Sequence, residues 1–258
     1  MTTLEDVRPG DLMFGPIGGF VPGVLPVGVA QILLATRKDR LTWRLWWELR
    51  HVAVVVQESM HLPPGTVRHR ETGTYYPPDE WGRTPWREAP HGGFDSYPTG
   101  VITAPRVVEA MPDGARERDL GDRDWAAGHV FVRPMLDNSQ GVEIATAARN
   151  YIGTPYGFLT YGALGANFLI PDGSTGKRLE SAIARRITDR KEMICSQLAD
   201  QALADAGVHV FRDGRLPQDV VPSELFLRLL DRPGTRYVVP GMDDWASAGD
   251  FYHKGWRS

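Results

Sequence analysis

The chain of 258 residues contains a single cysteine. That excludes an intramolecular disulfide framework, and one thiolate alone builds no zinc site. The chain has seven histidines, none paired at the i, i+4 spacing of a metallohydrolase helix, so no metal and no cofactor is expected. Excess positive charge is also missing. The formal net charge is −3, which argues against a dedicated nucleic-acid binder. Long apolar runs are absent too. The best stretch, Phe20 to Ala35, carries Pro22, Pro26 and Gln31 and falls short of the roughly 20 residues of a spanning helix. The opening MTTLEDVRPGD is acidic and lacks the apolar centre of a secretory signal. These absences predict a soluble, cytoplasmic protein without stable membrane insertion.

What is present is an ordinary globular profile, 42% hydrophobic and 24% charged, at a length that supports a sizeable core. Arg8-Pro9-Gly10-Asp11 reads as a turn before a short strand, Leu12-Met13-Phe14. Phe20 to Ala35 reads as a loop entering a buried helix, and Thr42 to Arg50 (TWRLWWELR) is helix-compatible. The β-branched run from His51 to Gln57 predicts a buried strand. Residues 59–105 stand out for proline, glycine and aromatics, among them Tyr75, Tyr76, Trp81, Trp86, Phe94 and Tyr97. So long an irregular stretch is expected to be either a functional lid or a mobile insertion near the cleft.

Strand character returns at Ile102 to Ala110 and at His129 to Arg133. Val142 to Tyr151 has helical spacing, ended by Gly153 and Pro155. Asp172 to Lys177 (DGSTGK) lacks the spacing of a phosphate loop, and Leu179 to Lys191 is a basic helical candidate. Val221-Pro222-Ser223 opens another helix, with proline in its first turn. Arg236 to Val239 is a last strand, followed by a Gly-, Asp- and Trp-rich tail.

The lone thiol, Cys195, stands where an apolar run becomes a helix whose face is Leu198, Ala199, Ala202, Leu203 and Ala206. A helix N-terminus favours a thiolate, and its amides can hold a developing oxyanion. A buried small hydrophobe is the alternative role. A nucleophile also needs a base. His51 opens the strongest strand and is the leading candidate; His129, which precedes another, is its rival. Glu109, a carboxylate within the apolar run Val107-Val108-Glu109-Ala110, needs a partner if buried. From an adjacent strand it could orient His51.

Five pieces occur in order: Gly10-Asp11-Leu12-Met13-Phe14, His51 opening a valine strand, Val108-Glu109-Ala110, Gly153-Thr154-Pro155-Tyr156, and Ile194-Cys195-Ser196-Gln197-Leu198. This set resembles the permuted papain-like cysteine hydrolases of the NlpC-type superfamily, in which histidine and carboxylate precede the cysteine. The resemblance covers about residues 8 to 230. It implies an α+β, circularly permuted papain-like fold, a small antiparallel sheet packed against helices with an irregular insertion. The implied catalytic domain is 1–235, and 236–258 form a C-terminal strand and tail. Cys195 becomes the nucleophile, His51 the base and Glu109 the orienting group, with substrate contacts expected at Asp11, Tyr156, Ser196 and Gln197. Many permuted members have Tyr-Asp where this chain has Tyr156-Gly157, and Cys-Ser-Glu where it has Cys195-Ser196-Gln197.

The activity the resemblance implies is cleavage of an amide or peptide bond, with peptidoglycan stem peptides the leading substrate and phage-encoded delivery one route to the wall without a signal. Lipid-linked or small-molecule amides and esters, or acyl transfer, are alternatives. A reading of another class makes the chain a non-catalytic module that binds through the aromatic-rich insertion. A third places TWRLWWELR at a membrane interface.

Overall fold

The computed structural model describes residues 6–16, 49, 51–70, 75–79, 93–97, 99, 101–121, 129–135, 138–157, 192–211, 220–239 and 242–254. The helices read at 20–35, 42–50 (apart from Leu49) and 179–191, the DGSTGK turn, and Trp81 and Trp86 lie outside these residues. The fold is α+β. Its strands are β1 (Leu12–Gly15), β2 (His51–Gln57), β3 (His61–Leu62), β4 (Thr66–His69), β5 (Tyr75–Tyr76), β6 (Phe94–Tyr97), β7 (Val101–Ile102), β8 (Arg106–Met111), β9 (Gly114–Asp119), β10 (Val130–Arg133), β11 (Arg236–Val238) and β12 (Ala246–Ser247). Its helices are α1 (Asn138–Arg149), α2 (Cys195–Asp205), α3 (Pro222–Leu230) and α4 (Ala248–Lys254).

Among the described residues, seven strands form one sheet in the order β12-β11-β10-β1-β2-β8-β9. Every pairing in it is antiparallel. This sheet is larger than the small one expected. One reason is the segment Gly114-Ala115-Arg116-Glu117-Arg118-Asp119, too charged to read as a strand, which pairs with β8 across a tight hairpin. Another is the tail, which adds β12 and α4 and buries Phe251 against Phe226 and Tyr237.

The valine run of β2 is buried because both faces of the sheet are covered. Val52, Val54 and Val56 join Leu12, Phe14, Val108 and Val130 in a core with Ile144 and Ala148 of α1 and Leu198, Ala199, Ala202 and Leu203 of α2. Ala53 and Val55 join Met13, Val107, Phe131 and Val238 in a second core closed by Val7, Leu120 and Trp245. Alternating side chains thus all meet apolar neighbours, and the strand loses the polar alternation of a one-sided sheet. The turn before β1 lies tight against α1. A Cβ on Gly10 would stand 2.7 Å from Gly141 Cα, and one on Gly141 would stand 2.5 Å from Pro9 O, so each position takes glycine.

The described part of 59–105 is not irregular. It forms a three-stranded sheet, β5-β4-β6, and a two-stranded sheet, β3-β7. These strands are two to four residues long, too short to show a period in sequence. Their attachment to the central sheet is at one end of β2. The insertion leaves β2 after Gln57 and returns before Arg106, and those two residues pair. His51 lies at the opposite end of β2, about 20 Å away at strand rise.

Candidate active site

Cys195 is the first residue of α2, and it is fully buried. The chain reaches it extended. Ile194 serves as the N-cap at φ −100° and ψ 165° and supplies no side-chain cap. Just before it, Met193 makes a parallel bridge to Tyr156, with Met193 N donating to Pro155 O at 2.9 Å and Gly157 N donating to Met193 O at 3.0 Å. On the other side, the Ser196 hydroxyl donates to Val220 O at 2.6 Å. The start of α2 is therefore held from two directions, and its apolar stripe seats the rest of the helix on the sheet.

His51 is the first residue of β2 and Glu109 lies on neighbouring β8, whose register sets Glu109 opposite Ala53. The two side chains, both buried, meet at 3.1 Å between His51 Nε2 and Glu109 Oε2. Burial disfavours the imidazolium, but hydrogen bonds to the Cys195 side chain and to Glu109, reinforced by their charges, lift the His51 pKa to about 9. Since Nε2 is engaged with Glu109, Nδ1 is the nitrogen left for the thiol. Burial likewise pushes Glu109 up, but the hydrogen bond and charge of His51, with help from Arg118, carry it down to about 2. Glu109 Oε1 accepts from Arg118 Nε at 2.9 Å and from Arg116 Nη2 at 3.3 Å.

The structure thus brings Cys195, His51 and Glu109 together. The contacts expected around them are distributed differently. Tyr156 is beside the approach to Cys195, but it is buried in the core beneath the helices. Ser196 spends its hydroxyl on Val220 O. Gln197 follows in the first turn of α2, and its Oε1 is buried with no hydrogen-bond partner among the described residues. Asp11 is remote. Its carbonyl accepts from Val55 N at 2.8 Å, whereas Gly15 at the other end of β1 pairs with His51. Four residues of strand, about 14 Å, separate Asp11 from the thiol's end of the sheet. Its carboxylate is closed into an ion pair with Arg133, at 2.9 and 2.7 Å.

Sequence reasoning missed Arg116 and Arg118. Their signal was the i, i+2 spacing, which sets both on the face of β9 that meets Glu109. It also missed Gly15, whose place beside His51 follows only from the β1–β2 register. Among the described residues, no group of three or more His, Cys, Asp or Glu side chains is spaced to hold a metal ion. No described helix is long and apolar enough to cross a membrane. Compared with known protein families, with curated proteins and with solved structures, the chain shows no match.

Proposed function

We propose that the protein is a thiol-dependent hydrolase of the permuted papain-like kind, cleaving an amide or peptide bond through an acyl-thioester. One observation carries this reading: a buried imidazole held between the only thiol and a buried carboxylate. An ordinary core cysteine needs no such neighbour. In the reaction, the Cys195 thiolate attacks the carbonyl carbon, and the uncapped amides at the start of α2 stabilise the oxyanion. The C–N bond then breaks as His51 gives its proton to the departing amine. Water attacks the thioester, His51 takes a proton from it, and the carboxylic product leaves the regenerated thiolate. Glu109 keeps the imidazolium oriented throughout. Peptidoglycan stem peptides are the first substrates to test, followed by lipid-linked and small-molecule amides.

The full burial of Cys195 favours a second reading, in which the thiol is core filler and the chain is a binding module. One experiment separates the two. The rate of Cys195 alkylation by iodoacetamide is followed against pH in the native protein and in His51→Ala. A hydrolase shows a low apparent thiol pKa that rises when His51 is lost, and Cys195→Ala then abolishes release of peptide from cell-wall fragments. Slow alkylation with no response to His51→Ala assigns Cys195 to the core and sinks the enzymatic reading.

A further inference from the structure

The two arginines of β9 meet Glu109 unequally. The register sets Arg116 opposite Glu109 and Arg118 opposite Val107, two residues along β8, so both share the face that carries Glu109. Arg118 Nε donates to Glu109 Oε1 at 2.9 Å, and its Nη1 donates to Asp119 O at 3.1 Å, which fixes the guanidinium at a second point. Arg116 comes no closer to Oε1 than 3.3 Å, and its Nη1 donates to Asp113 at 2.8 Å, so that a second carboxylate answers its charge. The Arg116 side chain is also the more exposed, 46% against 28%. The other Glu109 oxygen, Oε2, is left for His51 Nε2 at 3.1 Å.

Burial favours the neutral acid of Glu109, and His51 and Arg118 oppose it. The two cations differ in kind. In the reaction above, His51 gives its proton to the departing amine and is neutral until water supplies another. A guanidinium keeps its charge throughout. We propose that Arg118 is a positioning residue of the Cys195 site, the permanent cation that holds Glu109 charged and aimed at His51 while the imidazole is neutral. The inference rests on the Cys195–His51 reading above. Among the described residues, the charged side chains bonded to the carboxylate are His51 on β2 and Arg116 and Arg118 on β9; Asp113 in the hairpin binds Arg116, and Cys195 of α2 binds His51. Acylation begins with the imidazolium already in place and draws little on Arg118. Deacylation forms the imidazolium afresh as water attacks the thioester, and needs a carboxylate that has stayed ionised.

The test removes the cations in turn. The Glu109 carboxyl carbon is followed against pH by NMR in isotope-labelled protein, where the native group is expected to titrate at about 2. His51→Gln offers an N–H without a charge and imitates the neutral phase. Adding Arg118→Gln to it is expected to raise the midpoint by about one unit or more, and adding Arg116→Gln by clearly less. An equal rise for both arginines, or none for Arg118, overturns the assignment. The kinetic consequence is read with p-nitrophenyl acetate. In Arg118→Gln the initial burst of nitrophenol is expected to keep its amplitude while steady-state turnover falls, and Arg118→Lys, which restores the charge, recovers part of that turnover. Thermal melting checks that each variant folds, and the single variants carry the kinetic test alone where the double ones do not. A parallel loss of burst, turnover and melting temperature marks a brace of the fold and overturns the proposal. A native thiol that gives no burst and resists alkylation until unfolding overturns the Cys195 reading and this inference with it.

Discussion

The two ends of the central sheet each bury a carboxylate, and they treat it in opposite ways. At one end, Asp11 is closed off. Arg133 grips both its oxygens and stacks over the Trp245 ring at 3.9 Å, and Arg8 N donates to it at 2.8 Å. Burial still pushes the Asp11 carboxyl upward against these partners. At the other end, Glu109 also meets arginines, but its closest side-chain contacts include His51, a group that can pass a proton on. The lesson is chemical. Arginine keeps its charge at any relevant pH, so the Asp11 pair can only brace the fold. Exchanging one partner for histidine, with a thiol behind it, places a titratable group where the other end has a fixed charge.

Three measurements can break or sharpen this contrast. The largest effect is expected at the bracing end. Asp11→Ala leaves Arg133 without its counter-charge in a largely buried place, and breaking such a pair costs about 3–5 kcal/mol. Urea denaturation should register that loss while the alkylation profile of Cys195 stays put. A shifted thiol profile in that variant would mean the two ends are not independent. Next comes Glu109→Gln, which keeps the shape but removes the charge facing His51. The imidazole pKa should drop, and alkylation below neutral pH should slow roughly tenfold for each unit lost. No slowing would reduce Glu109 to a brace like Asp11.

The smallest effect is in the dependence of stability on pH. His51 has a raised pKa, so its stabilising share is complete below the ordinary value of 6.5 and is lost as pH rises through about 9. Glu109 has a lowered pKa, so its share is complete above the ordinary value of 4.5 and is lost as pH falls towards about 2. Melting temperature should therefore show both contributions in full between about 4.5 and 6.5. Replacing His51 with glutamine should flatten the alkaline side and also shrink the acid-side slope, because His51 is the main cause of the lowered Glu109 pKa, and persistence of the alkaline slope would take His51 out of the linkage.

Part of this was legible before any coordinates. The valine run exposes β2 because burial on both faces strips it of polar positions. The apolar stripe exposes α2, and an acid amid valines announces that Glu109 needs a partner. Other features are carried by register, which sequence does not display. Gly10-Asp11 before a strand looks the same whichever end of the sheet it occupies, and only the pairing of Gly15 with His51 puts Asp11 far from the thiol. The strand β9 hides because both its faces hold ion pairs: Arg116 and Arg118 with Glu109 on one, Glu117 with Arg106 and Arg149 on the other. Strands of two to four residues in 59–105 have no period to read.

The pairing of Gln57 with Arg106 has a practical meaning for anyone reshaping this chain. The accessory strands depart and return through neighbours on adjacent strands, like a side branch grafted onto a hairpin. Pruning 58–105 and closing the gap with a two-residue Asn-Gly turn asks the backbone only for a common hairpin connection. The branch point lies at the end of β2 opposite His51. It would also free a graft site, on the far side from Cys195, at which another domain or reporter could be carried.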